Sequence, residues 1–150
     1  MKNAKRKTKN EKLMQASEYE GLQDGIRTMP RPRIEVWRNQ YRDRSYVIQI
    51  DVPEFTCICP KTALPDFAHI TIRYIPDEWC LELKSLKYYE LSYRSTGIFH
   101  ENVVNRFLDD VVGACRPRWA EVLGEFNARG GIRTTVSAEY GKRKTKNERT

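Results

Sequence analysis

The residues best suited to covalent chemistry lie in a short segment bounded by prolines. Residues 54–60 read Glu-Phe-Thr-Cys-Ile-Cys-Pro, and the loop continues to Pro65-Asp66-Phe67. Because Cys59 precedes a proline, its backbone is biased towards an extended conformation. Asp66, seven residues further on, can return to the same pocket when the loop closes. A thiol beside a carboxylic acid suits addition to an electrophilic carbon, with the acid delivering a proton to the new anion.

The residues alone do not choose between the two cysteines of this segment. Cys57 and Cys59 are equally plausible nucleophiles, and either can be an inert small hydrophobe. A zinc site built from both cysteines and a histidine is disfavoured, because Cys-x-Cys is a poorer zinc signature than Cys-x-x-Cys and no second pair follows. We therefore predict no metal, and we expect the four cysteines of the chain to be reduced thiols.

A second candidate group, Phe99-His100-Glu101-Asn102, stands at the start of an amphipathic helix. An acid in the first helical turn is stabilised by the helix dipole, so a purely structural role for Glu101 stays open. Alternatively, a carboxylate held there can accept two parallel N–H donors, such as those of a guanine-like ring edge. His100 beside it can offer a hydrogen bond, relay a proton or be structural.

A third candidate group covers residues 82–89, Glu-Leu-Lys-Ser-Leu-Lys-Tyr-Tyr. On its physical properties alone, this stretch is typical of an ordinary charged amphipathic helix. Lys84 and Lys87 stand three apart and share one helical face. Two lysines on one face can equally clamp phosphate groups.

Strands, helices and a glycine turn must position these groups. Alternation of Ala68, Ile70, Ile72 and Tyr74 with polar residues predicts a half-buried strand, antiparallel to the strand before it. Helical spacing of apolar residues predicts two helices, and Arg129-Gly130-Gly131 predicts a hairpin turn. The predicted elements are a polar helix or arm over 11–24, an extended connector over 30–33, strands over 45–52 (ending at Pro53) and 68–75, helices over 82–93 and 100–114 (closed by Pro117), and a hairpin over 118–140.

The order of these elements determines the expected fold class. Two strands, two helices and two strands favour an α+β domain with both helices on one face of an antiparallel sheet. The edge strands of such a sheet need cover, which oligomerisation usually supplies.

The basic charge of the chain belongs to its two ends. The net charge is +7, but residues 1–12 carry +5 and residues 142–150 carry +4, which leaves −2 for the rest. We therefore predict a basic, partly disordered tail and arm over 1–24, a catalytic domain over 25–141 and a basic tail over 142–150. With no run of about 20 apolar residues and no secretory signal, we expect a soluble, cytoplasmic protein without membrane contact.

Taken together, the three candidate groups resemble the preQ0 reductase family, the NADPH-dependent nitrile oxidoreductases of queuosine biosynthesis. Residues 82–89 match at every position the family motif Glu-(Ser/Leu)-Lys-(Ser/Ala)-hydrophobic-Lys-(Leu/Tyr)-aromatic. A Cys-Pro at 59–60 with Asp66 after it, a Phe-His-Glu at 99–101 and an Arg-Gly-Gly at 129–131 follow in family order.

The resemblance covers roughly residues 45–141 and is similar to the single-module subfamily. It implies the tunnelling fold, with two strands, two helices and two strands in each subunit. In that fold, subunits join their sheets into a ring, two rings commonly stack, and the active sites lie between subunits. The resemblance thus implies a homo-oligomer, in agreement with the need to cover the sheet edges.

The resemblance also assigns chemical roles. Cys59 would attack the nitrile carbon of 7-cyano-7-deazaguanine (preQ0) to give a covalent thioimide, and Asp66 would protonate the nitrogen. NADPH would deliver hydride, loss of the thiol would leave an imine, and a second NADPH would give the aminomethyl product, preQ1. Cys57 does not stand at the nucleophile position of the family, so we expect it to be inert.

Binding roles follow from the same resemblance. Glu101 would hold the guanine-like edge of the base, with His100 beside it. The remaining implied contacts are with the base, through Leu81, Glu82 and Leu83, and with the phosphates of NADPH, through Lys84, Lys87 and Arg129. The expected partners are a small deazaguanine base and further copies of the chain, without tRNA as a direct substrate.

Two other functions stay open. An archaeosine-forming amidinotransferase of the same fold would use the same cysteine to add ammonia to a nitrile already in tRNA, without a nicotinamide. The basic ends make tRNA plausible, although the complete motif at 82–89 favours the reductase. From another class, the basic ends could make the chain a small RNA-binding protein, whose binding would weaken steeply with salt.

Overall fold

The computed structural model describes residues 19–143. The helices and strands, in chain order, are β1 (Val36–Arg38), β2 (Ile48–Ile58), β3 (Pro65–Ile75), β4 (Trp79–Leu81), α1 (Leu83–Leu91), α2 (His100–Cys115), β5 (Trp119–Phe126) and β6 (Thr135–Gly141). A short 3-10 helix, Glu20–Leu22, precedes them. It belongs to the polar helix or arm predicted over 11–24, of which the structure describes residues 19–24. Residues 11–18 and most of both predicted basic tails lie outside the described residues. No helix between residues 19 and 143 is long and apolar enough to cross a membrane.

The main sheet has four strands in the order β2-β3-β5-β6, with every neighbouring pair antiparallel. Its central strand β3 has the predicted alternation, with Ala68, Ile70, Ile72 and Tyr74 buried on one face. The polar residues between them lie on the opposite, partly exposed face. The predicted half-buried strand and its antiparallel pairing with β2 are therefore confirmed, but the strand begins at Pro65, so Asp66 lies in β3 and not in the loop before it.

The prediction that the first of these strands ends at Pro53 is wrong. Strand β2 continues to Ile58, and its pairing with β3 shifts register between Val52 and Phe55, which marks a β-bulge. Because β2 is an edge strand, a proline that lacks an N–H donor can occupy the bulge without removing a needed ladder bond. Cys57 consequently lies in a strand, and only the turn from Cys59 to Leu64 connects β2 with β3.

A two-stranded sheet that we did not predict leads into the first helix. In it, β1 pairs antiparallel with β4, and Val36 lies opposite Leu81. Each strand has three residues, which is too short to show a hydrophobic period. Helix α1 follows directly, with Glu82 as its N-cap: the carboxylate accepts hydrogen bonds from the backbone N–H groups of Lys84 (2.8 Å) and Ser85 (2.7 Å).

Both helices contribute to one core with the buried face of the sheet, as expected for the α+β class. Phe55 of β2, Tyr93 after α1 and Phe107 of α2 are fully buried and in mutual ring contact. Helix α2 packs closely against β5 at Gly124, where an added Cβ would lie 2.5 Å from Cγ2 of Val104. The helix ends at Cys115, because the next residue takes a left-handed backbone conformation and Pro117 follows.

The last two strands form the predicted hairpin. Between β5 and β6, Arg129 and Ile132 form an isolated antiparallel bridge. Gly130 and Gly131 connect them with φ values of 56° and 79°, a region that glycine enters without strain. In the single chain, the outer edges of β2 and β6 have no neighbouring strand among residues 19–143.

Candidate active site

A cavity of about 740 Å³ opens at one end of the main sheet. The turn after β2, the hairpin after β5 and the start of α2 meet there. They meet because β3 pairs with both β2 and β5, while α2 packs across β5. The cavity brings together five of the predicted site residues, Cys59, Asp66, His100, Glu101 and Arg129.

The turn from Cys59 to Leu64 shapes the surroundings of the candidate nucleophile. Burial raises the pKa of the Cys59 thiol. Hydrogen bonds to the sulfur from the Thr62 hydroxyl, and from the backbone N–H groups of Thr62 and Lys61, outweigh burial. Together with the side chain of Arg129, they lower the pKa to about 7. A large fraction of Cys59 is therefore thiolate near neutral pH, and the thiolate is the nucleophilic form.

The neighbouring cysteine has the opposite environment. Cys57 is fully buried in β2, and its sulfur lies 3.8 Å from the carbonyl oxygen of Ile98. Burial, with a smaller contribution from the charge of Cys59, raises the pKa of Cys57 to about 12. Such a thiol stays protonated at neutral pH, which is the environment of a structural cysteine. The pKa contrast favours Cys59 as the nucleophile, a choice that the residue pattern had left open.

Asp66 is held from two sides at the floor of the cavity. It is only 3% exposed, and its Oδ1 accepts a hydrogen bond from the Arg129 guanidinium. Its Oδ2 lies 3.1 Å from Nε2 of His100. Arg129 also donates to the Thr62 hydroxyl at 3.3 Å. Because Thr62 in turn donates to Cys59, one chain of hydrogen bonds connects the acid with the thiol.

His100 and Glu101 occupy the first turn of α2, at the rim of the cavity. The imidazole of His100 stacks on Phe126 with ring centroids 3.7 Å apart. Burial lowers the pKa of His100, and the charge of Glu101 opposes this effect only in part. His100 is therefore neutral at pH 7. The Glu101 side chain is exposed, so its carboxylate is accessible to a ligand.

The other predicted site residues lie elsewhere in the subunit. Five predicted site residues are absent from the cavity lining: Leu81, Glu82, Leu83, Lys84 and Lys87. Leu81 is buried in β4, while Leu83, Lys84 and Lys87 project from the exposed side of α1. The Glu82 carboxylate is occupied by the cap of α1, and the backbone N–H groups of Ser85 and Lys84 lower its pKa. Within one subunit the predicted site thus forms two separate groups.

Arg129 belongs to the first group and not to the second. Its guanidinium contacts Asp66 and Thr62 inside the cavity, so it lies apart from the two lysines with which it was predicted to hold phosphates. Within residues 19–143, no three His, Cys, Asp or Glu side chains are grouped closely enough to hold a metal ion.

Several cavity residues were missed by sequence reasoning. Thr62 donates to the Cys59 sulfur, and its only sequence signal is its position between Cys59 and Asp66. Tyr19 and Gln23 come from the segment before β1, and nothing in their spacing connects them with residues more than thirty positions away. Only the fold brings this segment to the cavity.

A family model described as QueF-like protein matches residues 65–145 of the chain. The matched part includes Asp66, the segment at 82–89, His100, Glu101 and Arg129. Cys59 lies just before the matched part.

Curated relatives and a solved structure agree with this match. The chain is 60% identical over 112 residues to the NADPH-dependent 7-cyano-7-deazaguanine reductase of Elusimicrobium minutum. This match covers 75% of this chain and 84% of the relative. The chain is 60% identical over 111 residues to the protein of the same name from Chlorobaculum tepidum, covering 74% and 95%. The crystal structure of an archaeosine synthase QueF-Like in the apo form has a TM-score of 0.61 at 24% identity, covering 65% of this chain and 96% of that one; it shows the fold alone. The chain belongs to the QueF-like protein family.

Proposed function

We propose that this chain reduces the nitrile of 7-cyano-7-deazaguanine (preQ0) to the aminomethyl group of preQ1, with NADPH as the reductant. Two relatives that carry this activity in their names are 60% identical over three quarters of the chain. The main structural support is that the Cys59 thiol, with its pKa lowered to about 7, shares one cavity with Asp66. A thiolate paired with a proton carrier is what addition to a nitrile requires.

Cys59 acts as the nucleophile. Its sulfur adds to the nitrile carbon, so that a C–S bond forms and one π bond of the nitrile becomes a lone pair on nitrogen. Asp66, in its protonated form, delivers its proton to this nitrogen. The resulting thioimide is neutral, and the Asp66 carboxylate regains a proton from solvent.

Arg129 and His100 position the proton carrier. Arg129 contacts one oxygen of Asp66 and His100 the other, so the carboxyl group cannot rotate away from the cavity. Because Arg129 also reaches the nucleophile through Thr62, it keeps the acid and the thiol in a constant relative position. Such pre-organisation lowers the entropic part of the barrier.

The exposed carboxylate of Glu101 recognises the base. A carboxylate can accept two parallel N–H donors, as the guanine-like edge of preQ0 presents them. The start of α2 holds this group at the cavity rim, where the helix dipole favours its negative charge. His100 lies beside it and is the second base contact.

Lys84 and Lys87 fit the phosphates of the cofactor. Both are exposed on α1. Lys84 lies in the first turn, where the positive end of the helix dipole adds to its charge. When bound, NADPH supplies the hydride for each of the two reduction steps. After the first step the C–S bond breaks, which returns Cys59 to its free form and leaves an imine for the second step.

The catalytic group and the lysine group belong to one site when two subunits join. Leu81, Glu82 and Leu83 lie away from the cavity of their own subunit, and Leu83 is 61% exposed. The free edges of β2 and β6 suit a ring in which neighbouring sheets join, since unpaired edges favour strand pairing. We therefore include a tunnelling-fold ring, with rings that can stack in pairs, in the proposal. A cytoplasmic location accords with reduced cysteines.

The deciding experiment follows the loss of NADPH absorbance with purified full-length protein and free preQ0. We expect two NADPH to be consumed for each preQ1 formed. Cys59→Ala should abolish this reaction and the substrate-dependent thioimide absorbance, whereas the matched variant Cys57→Ala should retain both. If no NADPH is consumed while a nitrile-bearing tRNA reacts with ammonia, the protein is an amidinotransferase and the proposal is wrong.

A subunit-mixing experiment tests the shared site. Cys59→Ala subunits and Lys84→Ala/Lys87→Ala subunits should each be inactive by themselves. If each site combines residues from two neighbours, an equal mixture refolded together should regain about a quarter of wild-type activity, because each half of a site is intact with a probability of one half. A mixture as inactive as its components, although it forms mixed oligomers, would exclude a shared site.

A further inference from the structure

One wall of the candidate active site comes from a segment outside the part matched by the family model. Tyr19 and Gln23 line the same cavity as Cys59 and Asp66, while the matched part begins at residue 65. We call the segment from Tyr19 to Met29 the arm. None of the chemical roles described above involves the arm.

The base of the arm is tied to α2 by a partly buried arginine. Arg106 donates hydrogen bonds to the carbonyl oxygens of Ile26 (2.6 Å) and Met29 (2.7 Å). The same guanidinium is paired with Asp110 at 2.8 Å, and the side chain of Ile26 is buried in the core. The arm therefore starts from a firm attachment, since charge-assisted hydrogen bonds of this kind are among the stronger ones.

The tip of the arm is tied to the start of the same helix. The Asn102 side chain donates to Oε1 of Gln23 at 3.1 Å, and the Tyr19 ring lies 4.8 Å from the ring of Phe99. The helix positions involved, Phe99, Asn102 and Arg106, are three and four residues apart, so they share one face of α2. The arm thus follows α2 towards Glu101, the proposed base contact.

The ring of Tyr19 is placed as a binding surface. It lines the cavity and is still 40% exposed, even though Lys61, two residues after the nucleophile, lies over the ring at 5.4 Å. An aromatic face left partly uncovered beside a pocket is a stacking platform for a flat heteroaromatic ring, and such stacking does not depend on the hydrogen-bonding pattern of the ring.

We propose that Tyr19 is a substrate-binding residue, which covers the planar base by stacking while Gln23, held by Asn102, keeps the arm tip in place. This inference rests on the proposed function, since it takes the deazaguanine base as the ligand. Glu101 recognises the edge of the base, and Tyr19 adds affinity through its face. The arm is therefore part of the substrate site.

The test compares Tyr19→Ala, Tyr19→Phe and wild type in steady-state NADPH oxidation with preQ0. Loss of the ring should raise KM for preQ0 at least about fivefold, the lower limit for loss of one base–aromatic stack. The kcat value should stay within about twofold, because the reacting groups are unchanged. Tyr19→Phe should behave as wild type, since it keeps the ring. Tyr41→Ala, at another exposed tyrosine that does not line the cavity, is the matched control.

Two outcomes for KM would overturn the proposal. One is a KM of Tyr19→Ala within twofold of wild type; the other is an equal loss in Tyr19→Phe, which would assign the effect to the hydroxyl. The pH dependence of Cys59 alkylation shows whether Tyr19→Ala has merely distorted the site: a changed Cys59 pKa together with a lowered kcat would also refute a binding role. If wild type itself shows no preQ0-dependent NADPH oxidation, the proposed function has failed; if wild type is active and Tyr19→Ala equals it, only the role of Tyr19 has failed.

Discussion

The ionisation of Cys59 depends in part on one hydroxyl group, that of Thr62, which can be removed almost without a change of shape. Hydrogen bonds, the first of them from the Thr62 hydroxyl, lower the Cys59 pKa from 9.0 to about 7 against the opposing effect of burial. At pH 7 this raises the thiolate from about 1% to about half of the molecules. Thr62→Val removes the hydroxyl and leaves the backbone donors of Lys61 and residue 62 in place.

We therefore expect Thr62→Val to raise the pKa of Cys59 part of the way back to its ordinary value. A complete return would slow a thiolate reaction at pH 7 about fiftyfold; with the backbone donors intact, we expect about fivefold. The assay is the rate of iodoacetamide alkylation as a function of pH. The other three cysteines are buried, so Cys59 dominates the reaction. Activity should follow the same curve, rising with pH as Cys59 ionises.

Thr62→Ser is the matched control. It keeps the hydroxyl and should therefore show the wild-type pH dependence of alkylation. The rates of wild type and Thr62→Val should converge at high pH, where both thiols are ionised. An unchanged inflection in Thr62→Val would refute the assignment of the pKa to this hydroxyl. A fivefold deficit that persists at high pH would show that the substitution disturbs access to the thiol and not its ionisation.

Three further predictions concern the proton carrier, the helix–sheet contact and the ends of the chain. Asp66→Asn should slow turnover by about 10²-fold or more yet leave preQ0 binding measurable by calorimetry; equal loss of both would contradict a role in proton transfer. Gly124→Ala should lower the free energy of unfolding by about 1–3 kcal/mol in urea titrations, because its Cβ would lie 2.5 Å from Val104; an unchanged midpoint would contradict such close packing. Deletion of residues 1–12 and 142–150 should leave kcat and KM within about twofold; a collapse of activity in a folded truncation would assign these ends a catalytic role.

Features that depend on near neighbours could be predicted from the amino-acid sequence. The alternation from Ala68 to Tyr74 predicts β3 and its buried face, because side chains of a strand point alternately to its two sides. Helix α2 and the glycine turn after Arg129 follow from equally local patterns. The motif over 82–89 and the order of the other motifs sufficed to place the chain in its family.

Other features depend on contacts between distant segments, and only the tertiary structure decided them. The course of β2 through Pro53 requires its edge position, and β1 exists only because β4 pairs with it. The residue pattern named both cysteines without choosing, since the pKa of each depends on burial and on groups that the turn and the hairpin supply. Asp66 and Arg129 are 63 positions apart, and no local period can place one against the other. The sequence by itself therefore determined which residues are able to do the chemistry, and the fold decided which of them meet, because pairing over long separations depends on the whole sheet and not on neighbouring residues.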